Sequence, residues 1–137
     1  MESNLILKSA GVIIRDRRLL VERSRGKDFF VSPGGKVEEG ETAKQTLTRE
    51  LKEEFNIGVK EEDLTEFGSF EADAVGKDNV KIKMDVFIVK LWDGEPTPSS
   101  EVEEIRWIKS SNSEGLKLGS IFEHDVIPKL KEADLID

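Results

Sequence analysis

Apolar positions along the chain change their period several times, and each change predicts an element. Leu5 to Ile14 reads as a strand, with Gly11 inside it as a bulge or a point of close approach. Asp16-Arg17 turns the chain into a second strand, Arg18 to Glu22, and the two read as a hairpin. After the loop Arg25-Gly26-Lys27-Asp28 comes a short apolar stretch, Phe29-Phe30-Val31, and Pro33-Gly34-Gly35 breaks any regular element. The period then becomes helical. Ala43, Leu47, Leu51 and Phe55 recur every four residues as one stripe, which predicts a helix over Glu41 to Phe55. Asn56 or Gly58 ends it in the left-handed conformation.

Strand signals return in Phe67 to Ala72 and Val80 to Leu91, joined by the turn-rich Gly76-Lys77-Asp78-Asn79. In the second of these, Val80, Ile82, Met84, Val86 and Ile88 share one face, while Phe87, Val89 and Leu91 fill the other. A strand that is apolar on both faces at its far end is predicted to be central. Asp93-Gly94-Glu95-Pro96-Thr97-Pro98 is a loop and Glu104 to Ile108 a short strand. Ser120 to Lys131 is a final helix in which Pro128 makes a kink or a break. The order β-β-α-β-β-β-α predicts a mixed α/β fold, a sheet covered by helices.

A length of 137 residues suits one domain with a real core and not two, so a single domain over 1–137 is expected. Charged and hydrophobic residues each make up 36% of the chain, a balance that fits a soluble globular protein. No apolar run approaches the ~20 residues of a membrane-spanning helix. The first residues carry an acid and no basic stretch, which argues against a secretory signal. The absence of cysteine excludes disulfides and thiolate metal sites and fits a cytoplasmic protein. Charge changes the picture most. A formal net charge of −8 excludes a nucleic-acid backbone as partner and repels a free nucleoside triphosphate at long range. If the substrate is a phosphate, a cation must stand between it and the protein.

The stretch that carries chemistry is Gly34-Gly35-Lys36-Val37-Glu38-Glu39-Gly40-Glu41, followed by Arg49-Glu50-Leu51-Lys52-Glu53-Glu54-Phe55-Asn56-Ile57. The glycines allow the backbone to approach a ligand closely. Glu50, Glu53 and Glu54 stand at i, i+3 and i+4 and crowd one patch of the helix, at the rim of its buried stripe. Three carboxylates near a core repel one another and lose hydration, so something positive should compensate. Oxygen-only ligands favour a hard divalent cation, and magnesium commonly joins a few carboxylates to substrate phosphates. Arg49 is placed to orient Glu50 or to neutralise part of the cluster. Taken alone, the three glutamates also fit a solvated acidic helix. The glycines and Arg49 at their spacing weigh against that reading.

This pattern resembles the signature of the Nudix hydrolases, the MutT-like family. It runs from Gly35 to Ile57, with Gly34 just ahead, and departs from the family at Asn56, where glycine is usual. Trp92-Asp93-Gly94-Glu95-Pro96 and Glu104-Ile105-Arg106-Trp107-Ile108 resemble the family's flanks. The resemblance implies an α/β/α sandwich with a mixed sheet. It implies that Glu50, Glu53 and Glu54 bind Mg2+ (or Mn2+), joined by the main-chain carbonyl of Gly34. It further implies that Arg49 orients the first carboxylate, and that Glu41 supports the loop or a metal-bound water. Glu50 or Glu53 takes the proton from the attacking water, and Glu50 is preferred because Arg49 adjoins it. Some MutT-like enzymes add an acid from a later loop, and Glu101 is the candidate here.

Weaker signals surround this core. Arg23 and Lys36 are candidate phosphate contacts, with pairing to Glu22 or Asp28 the alternative for Arg23. Phe29 and Phe30 are candidates to flank a base, and Phe30 is taken as the substrate contact, although one of the two is expected in the core. His124 is expected to pack or cap, and Trp107 to pack. Gly34-Gly35-Lys36 is not a Walker loop, because Val37 stands where Ser or Thr is required. The expected activity is Mg2+-dependent hydrolysis of a nucleoside triphosphate to a monophosphate and pyrophosphate, by a monomer or homodimer with no nucleic-acid or membrane partner. The alternatives are an ADP-ribose or sugar-nucleotide pyrophosphatase and an inactive Nudix-fold binding module. The resemblance disfavours the former modestly, because no proline lies between Pro33 and Pro96. The lack of any tyrosine weighs likewise against a dinucleoside-polyphosphate enzyme.

Overall fold

A computed structural model describes residues 4–73, 79–112 and 114–137. Seven strands and two α-helices follow in the order β1 (Asn4–Val12), β2 (Ile14–Arg15), β3 (Arg18–Ser24), β4 (Gly34–Lys36), α1 (Ala43–Phe55), β5 (Leu64–Asp73), β6 (Val80–Val89), β7 (Val102–Ile108) and α2 (Ile127–Glu132). The strands form two sheets rather than one. The first is mixed, in the order β4-β1-β6-β5, with β1 parallel to β6 and the other pairs antiparallel. The second is antiparallel, β2-β3-β7.

The expected hairpin exists only at its tip. Ile14 pairs with Leu19 and Arg15 with Arg18 across Asp16-Arg17, both left-handed at φ 54° and 60°. The long strand before it belongs to the other sheet. Leu91, expected to complete β6, lies beyond the strand and is exposed. β6 itself is central, between β1 and β5. Of the predicted turn before it, Gly76-Lys77-Asp78 lies outside the described residues.

Pro33-Gly34-Gly35 does not simply break structure, because Gly34 opens β4. Gly34, at φ 144°, packs so tightly on β1 that a Cβ there would lie 2.0 Å from the Ser9 carbonyl oxygen. Only glycine permits that pairing.

Two apolar cores hold the layers. One lies beneath α1, where Leu47, Leu51 and Phe55 are buried against Leu20, Phe87 and Val89. Gly11 is a point of close approach on this side, with the Leu47 side chain where a Cβ would meet it at 3.3 Å. The other core joins Val12, Val21, Phe30 and Val86 to Phe122, Val126 and Leu130 of the C-terminal helical segment. Helices thus cover the strand layers from both sides, an α/β/α arrangement.

Helix α1 starts two residues later than the stripe predicted, at Ala43, because Thr42 caps it. The Thr42 hydroxyl accepts from the Gln45 amide at 3.1 Å, and the Gln45 side chain accepts from the Thr42 amide at 2.9 Å. Asn56 ends the helix in the left-handed conformation, at φ 57° and ψ 31°. The C-terminal segment contains a π turn over Phe122–Val126 just ahead of α2. Pro128 lies inside a helical run that extends over residues 120–132, and the run meets it with the π turn just before it rather than with a break. His124 is exposed on that π turn, so the expected packing role does not hold.

Candidate active site

The first-turn approach to α1 is organised around Arg49. Its guanidinium donates to both Glu41 oxygens, at 2.8 and 3.0 Å, to Glu50 Oε1 at 2.9 Å and to Glu53 Oε2 at 3.3 Å. Glu38 adds an ion pair at 3.7 Å. Glu41 also accepts from the Thr46 hydroxyl at 2.8 Å and from the Glu38 amide at 3.1 Å. The Arg49 hydrogen bonds above all, then that of Thr46, hold the Glu41 carboxyl down at about 2. Glu41 therefore anchors the loop and Arg49. Arg49 in turn fixes Glu50, whose carboxyl lies against Gly35: a Cβ on Gly35 would stand 2.7 Å from Glu50 Cδ. The two glycines thus serve different ends, Gly34 for strand pairing and Gly35 for Glu50.

On the other flank carboxylates gather without cations. Glu54 shares a hydrogen bond with Glu50 and feels the charges of Glu22, Glu50 and Glu101. Burial first, then these neighbours, pushes its carboxyl well above the usual range. Glu22 is only 4% exposed, and its Oε2 has no hydrogen-bond partner. Burial, then the charges of Glu50 and Glu101, raises it to about 7. Among the described residues none of Glu22, Glu54 and Glu101 is ion-paired. Glu101 arrives because the loop before β7 docks on the end of α1. The Ser99 amide donates to the Glu54 carbonyl at 2.9 Å and that of Thr97 to Phe55 at 3.0 Å, while the Arg25 amide donates to the Glu101 carbonyl at 2.8 Å.

Glu53 is the outlier, with its side chain 54% exposed and turned to Arg49. Among the described residues no three acidic side chains, those of Glu22, Glu50, Glu54 and Glu101 included, already stand in metal-ligand geometry. The donor chemistry nevertheless fits a hard divalent cation. The groups are all carboxylate oxygens, they are crowded, and one buried oxygen is orphaned.

Two hollows adjoin the glycine turn beside this face. A cavity of about 250 Å³ lies between the first sheet and the C-terminal segment, with Phe29, Val31, Ile82, Met84, Ile121 and Phe122 among its walls and Lys8, Ser32 and Asp73 as polar groups. A smaller hollow of about 90 Å³ shares Lys8, Val31, Ser32 and Met84 with it and reaches Gly34 and Gly35. Larger hollows of about 280 and 470 Å³ lie on β5–β6 and along β7; none of the four is lined by the clustered acids, and of the four only the smallest reaches the glycine turn.

Several expected substrate contacts are placed elsewhere. Phe30 is buried in the core, and Phe29 takes the cavity wall instead. Arg23 pairs with Glu104 at 3.1 Å and Glu103 at 3.3 Å, not with Glu22 or Asp28. Lys36 is exposed at the end of β4, in register with Lys8 on β1. Trp107 packs half-buried against the core under α1, with the Arg15 guanidinium 4.3 Å above its ring. Sequence reasoning missed Glu22 and Lys8. Glu22 follows the apolar Leu19-Leu20-Val21 and shares the Leu20 face by strand alternation, so period two carried the signal.

Comparison with known proteins bears on this site. The NUDIX domain model matches residues 6–129. The chain is 35% identical over 114 residues to the 8-oxo-dGTP diphosphatase of Haemophilus influenzae, covering 80% of this chain and 79% of that one. It is 29% identical over 123 residues to the ADP-ribose pyrophosphatase of Methanocaldococcus jannaschii, covering 87% and 68% respectively. A solved MutT structure, from work on Aliivibrio salmonicida and Vibrio cholerae, superposes with a TM-score of 0.73 at 26% identity, over 94% of this chain and 99% of that chain.

Proposed function

The chain belongs to the NUDIX domain family, as a pyrophosphohydrolase, and from that premise we propose that it is a magnesium-dependent nucleoside-triphosphate pyrophosphohydrolase of the cytoplasm. The observation that carries this reading is the place of Gly35, which lines the hollow adjoining an apolar cavity and also packs against the Glu50 carboxyl. An apolar slot with a few polar groups suits a nucleobase, and the acid face beyond it suits the cation that a −8 protein needs to hold phosphates. The similarity to an 8-oxo-dGTP diphosphatase points the same way.

In this reading Glu50, Glu53 and Glu54 hold the magnesium, with the Gly34 carbonyl and Glu101 as further oxygens. Glu53 must leave Arg49 and turn inward to take part. Bound there, a divalent cation lowers the pKa of water and offsets charge on the phosphate oxygens. Glu50 accepts the proton of the attacking water, held in place by Arg49 on one side and Gly35 on the other. Lys8, half-buried and common to both hollows, is set between base and phosphates. Lys36 lies open to the phosphate tail, whereas Arg23 must first release Glu103 and Glu104 to reach it.

The experiment is a panel of the common and oxidised deoxynucleoside triphosphates with ADP-ribose, resolving products by phosphorus NMR. A triphosphate giving monophosphate and pyrophosphate at the highest kcat/KM is expected. The second reading, an ADP-ribose enzyme, is favoured by the Methanocaldococcus relative. Preference for ADP-ribose over every triphosphate would establish it instead.

A further inference from the structure

We propose that Glu22 is a further carboxylate ligand of the divalent-cation site, placed by β3 rather than by the helix. The proposal deepens the reading above and rests on it.

Alternation along β3 sends Leu20 and Glu22 to the same face, and Leu20 is buried beneath α1 with Leu47, Leu51 and Phe55. Glu22 therefore comes up under the helix one step nearer its acid rim. Its backbone is fixed on both sides. The Glu22 and Val31 amides and carbonyls exchange bonds at 2.8 Å, and Glu22 pairs in register with Ile105 on β7. The side chain thus projects from a rigid element, which is how a ligand is held to a geometry. It is 4% exposed, and Oε2 has no protein partner. Packing alone would be met by an apolar residue in its place, and a buried carboxyl oxygen without a partner is costly to keep. The groups whose charges act on it are Glu50 and Glu101, both acidic, so no described protein cation offsets it. A divalent cation reaching Glu50 and Glu54 supplies the missing partner. Magnesium favours six oxygens in octahedral array, and Glu22 would add to the helix carboxylates a ligand from a different element, β3.

Manganese binding, followed by the electron paramagnetic resonance signal of free Mn2+, tests this without turnover. Thermal unfolding with and without Mg2+ runs in parallel on wild type, Glu22→Gln and Glu54→Gln. Glu22→Gln keeps the shape and is expected to weaken Mn2+ by about tenfold or more. It should also shrink the rise in Tm given by Mg2+, with a metal-free Tm at or above wild type. Wild-type Mn2+ affinity together with a lowered metal-free Tm would overturn the proposal, since that is the signature of a purely structural residue. Glu22→Asp guards against a fold defect. It keeps the charge and should recover part of the affinity, and no recovery by Asp despite an intact fold also counts against coordination. If Glu54→Gln loses Mn2+ while Glu22→Gln keeps it, Glu22 alone is misassigned. If both keep it, the cation site itself is wrong.

Discussion

Acids gather on two flanks of helix α1, and the protein treats them in opposite ways. Toward the glycine turn, Glu41 is fully engaged: two bonds from Arg49, one from Thr46 and one from the Glu38 amide. Toward β3 and the loop before β7, Glu22, Glu54 and Glu101 face one another with no protein cation among the described residues. The same side-chain chemistry is therefore a scaffold on one flank and a demand for charge on the other. Glu50 belongs to both, paired to Arg49 through Oε1 and in contact with Glu54. In the proposed function, a residue so placed is oriented by the first flank and acts on the second.

The sharpest way to break this comparison is to remove the residue that joins the flanks. Glu50→Gln keeps shape and loses charge, and kcat should fall by roughly 10²–10⁴-fold, the range for a general base. The fold, read by circular dichroism, should persist. Turnover near wild type would make Glu50 peripheral. Next in size is Arg49→Lys. A lysine keeps the charge but has no planar fork to grip Glu41 and Glu50 together. Turnover should drop about 10–100-fold, as for partners that orient metal ligands. Steady-state kinetics matching wild type would show that the paired flank does not position the other.

The flanks should also respond oppositely to pH in the metal-free protein. Glu41 sits near 2 in the fold against an ordinary 4.5, so its stabilisation is present above 4.5 and lost as pH falls toward 2. Glu22 sits near 7 against the same 4.5, so its protonated form stabilises below 4.5 and that contribution is lost as pH rises through 7. Plots of Tm against pH should therefore flatten on the acid side for Glu41→Gln and between 4.5 and 7 for Glu22→Gln. Parallel curves for variants and wild type would remove the contrast.

The smallest effect concerns the end of the helix that both flanks share. Asn56 is left-handed at φ 57°. Asn56→Gly should shift stability by under about 1 kcal/mol and leave turnover intact, while Asn56→Val should cost more, because a β-branched side chain tolerates that region poorly. Equal denaturant midpoints for the two variants would contradict the assigned geometry.

Much of this was legible in sequence where the cause is local. The four-residue stripe marks α1, the double-faced pattern marks β6 as central, and asparagine after the stripe marks a left-handed end. Spacing on one helix brings Arg49 to Glu50 and Glu53 and sets Glu54 beside Glu50, but it does not foretell that Glu53 turns outward to Arg49. What escaped depends on partners distant in the chain. Gly34 reads as a breaker, yet it forms a strand because β1 leaves no room for a Cβ. Phe29 and Phe30 are equivalent in a short apolar run, and only the bridge from Phe30 to Leu118 decides which one turns inward. Glu22 looked like a counterion for Arg23, but alternation puts them on opposite faces, and Arg23 finds Glu103 and Glu104 on the neighbouring strand.

On the proposed function, the crowded flank works only with a divalent cation. The most direct measurement is pyrophosphate released from the best triphosphate of the panel, by protein dialysed exhaustively against chelator, before and after Mg2+ is restored. The account predicts no release above background without metal and full turnover on its return. Undiminished release from the chelated protein would contradict it.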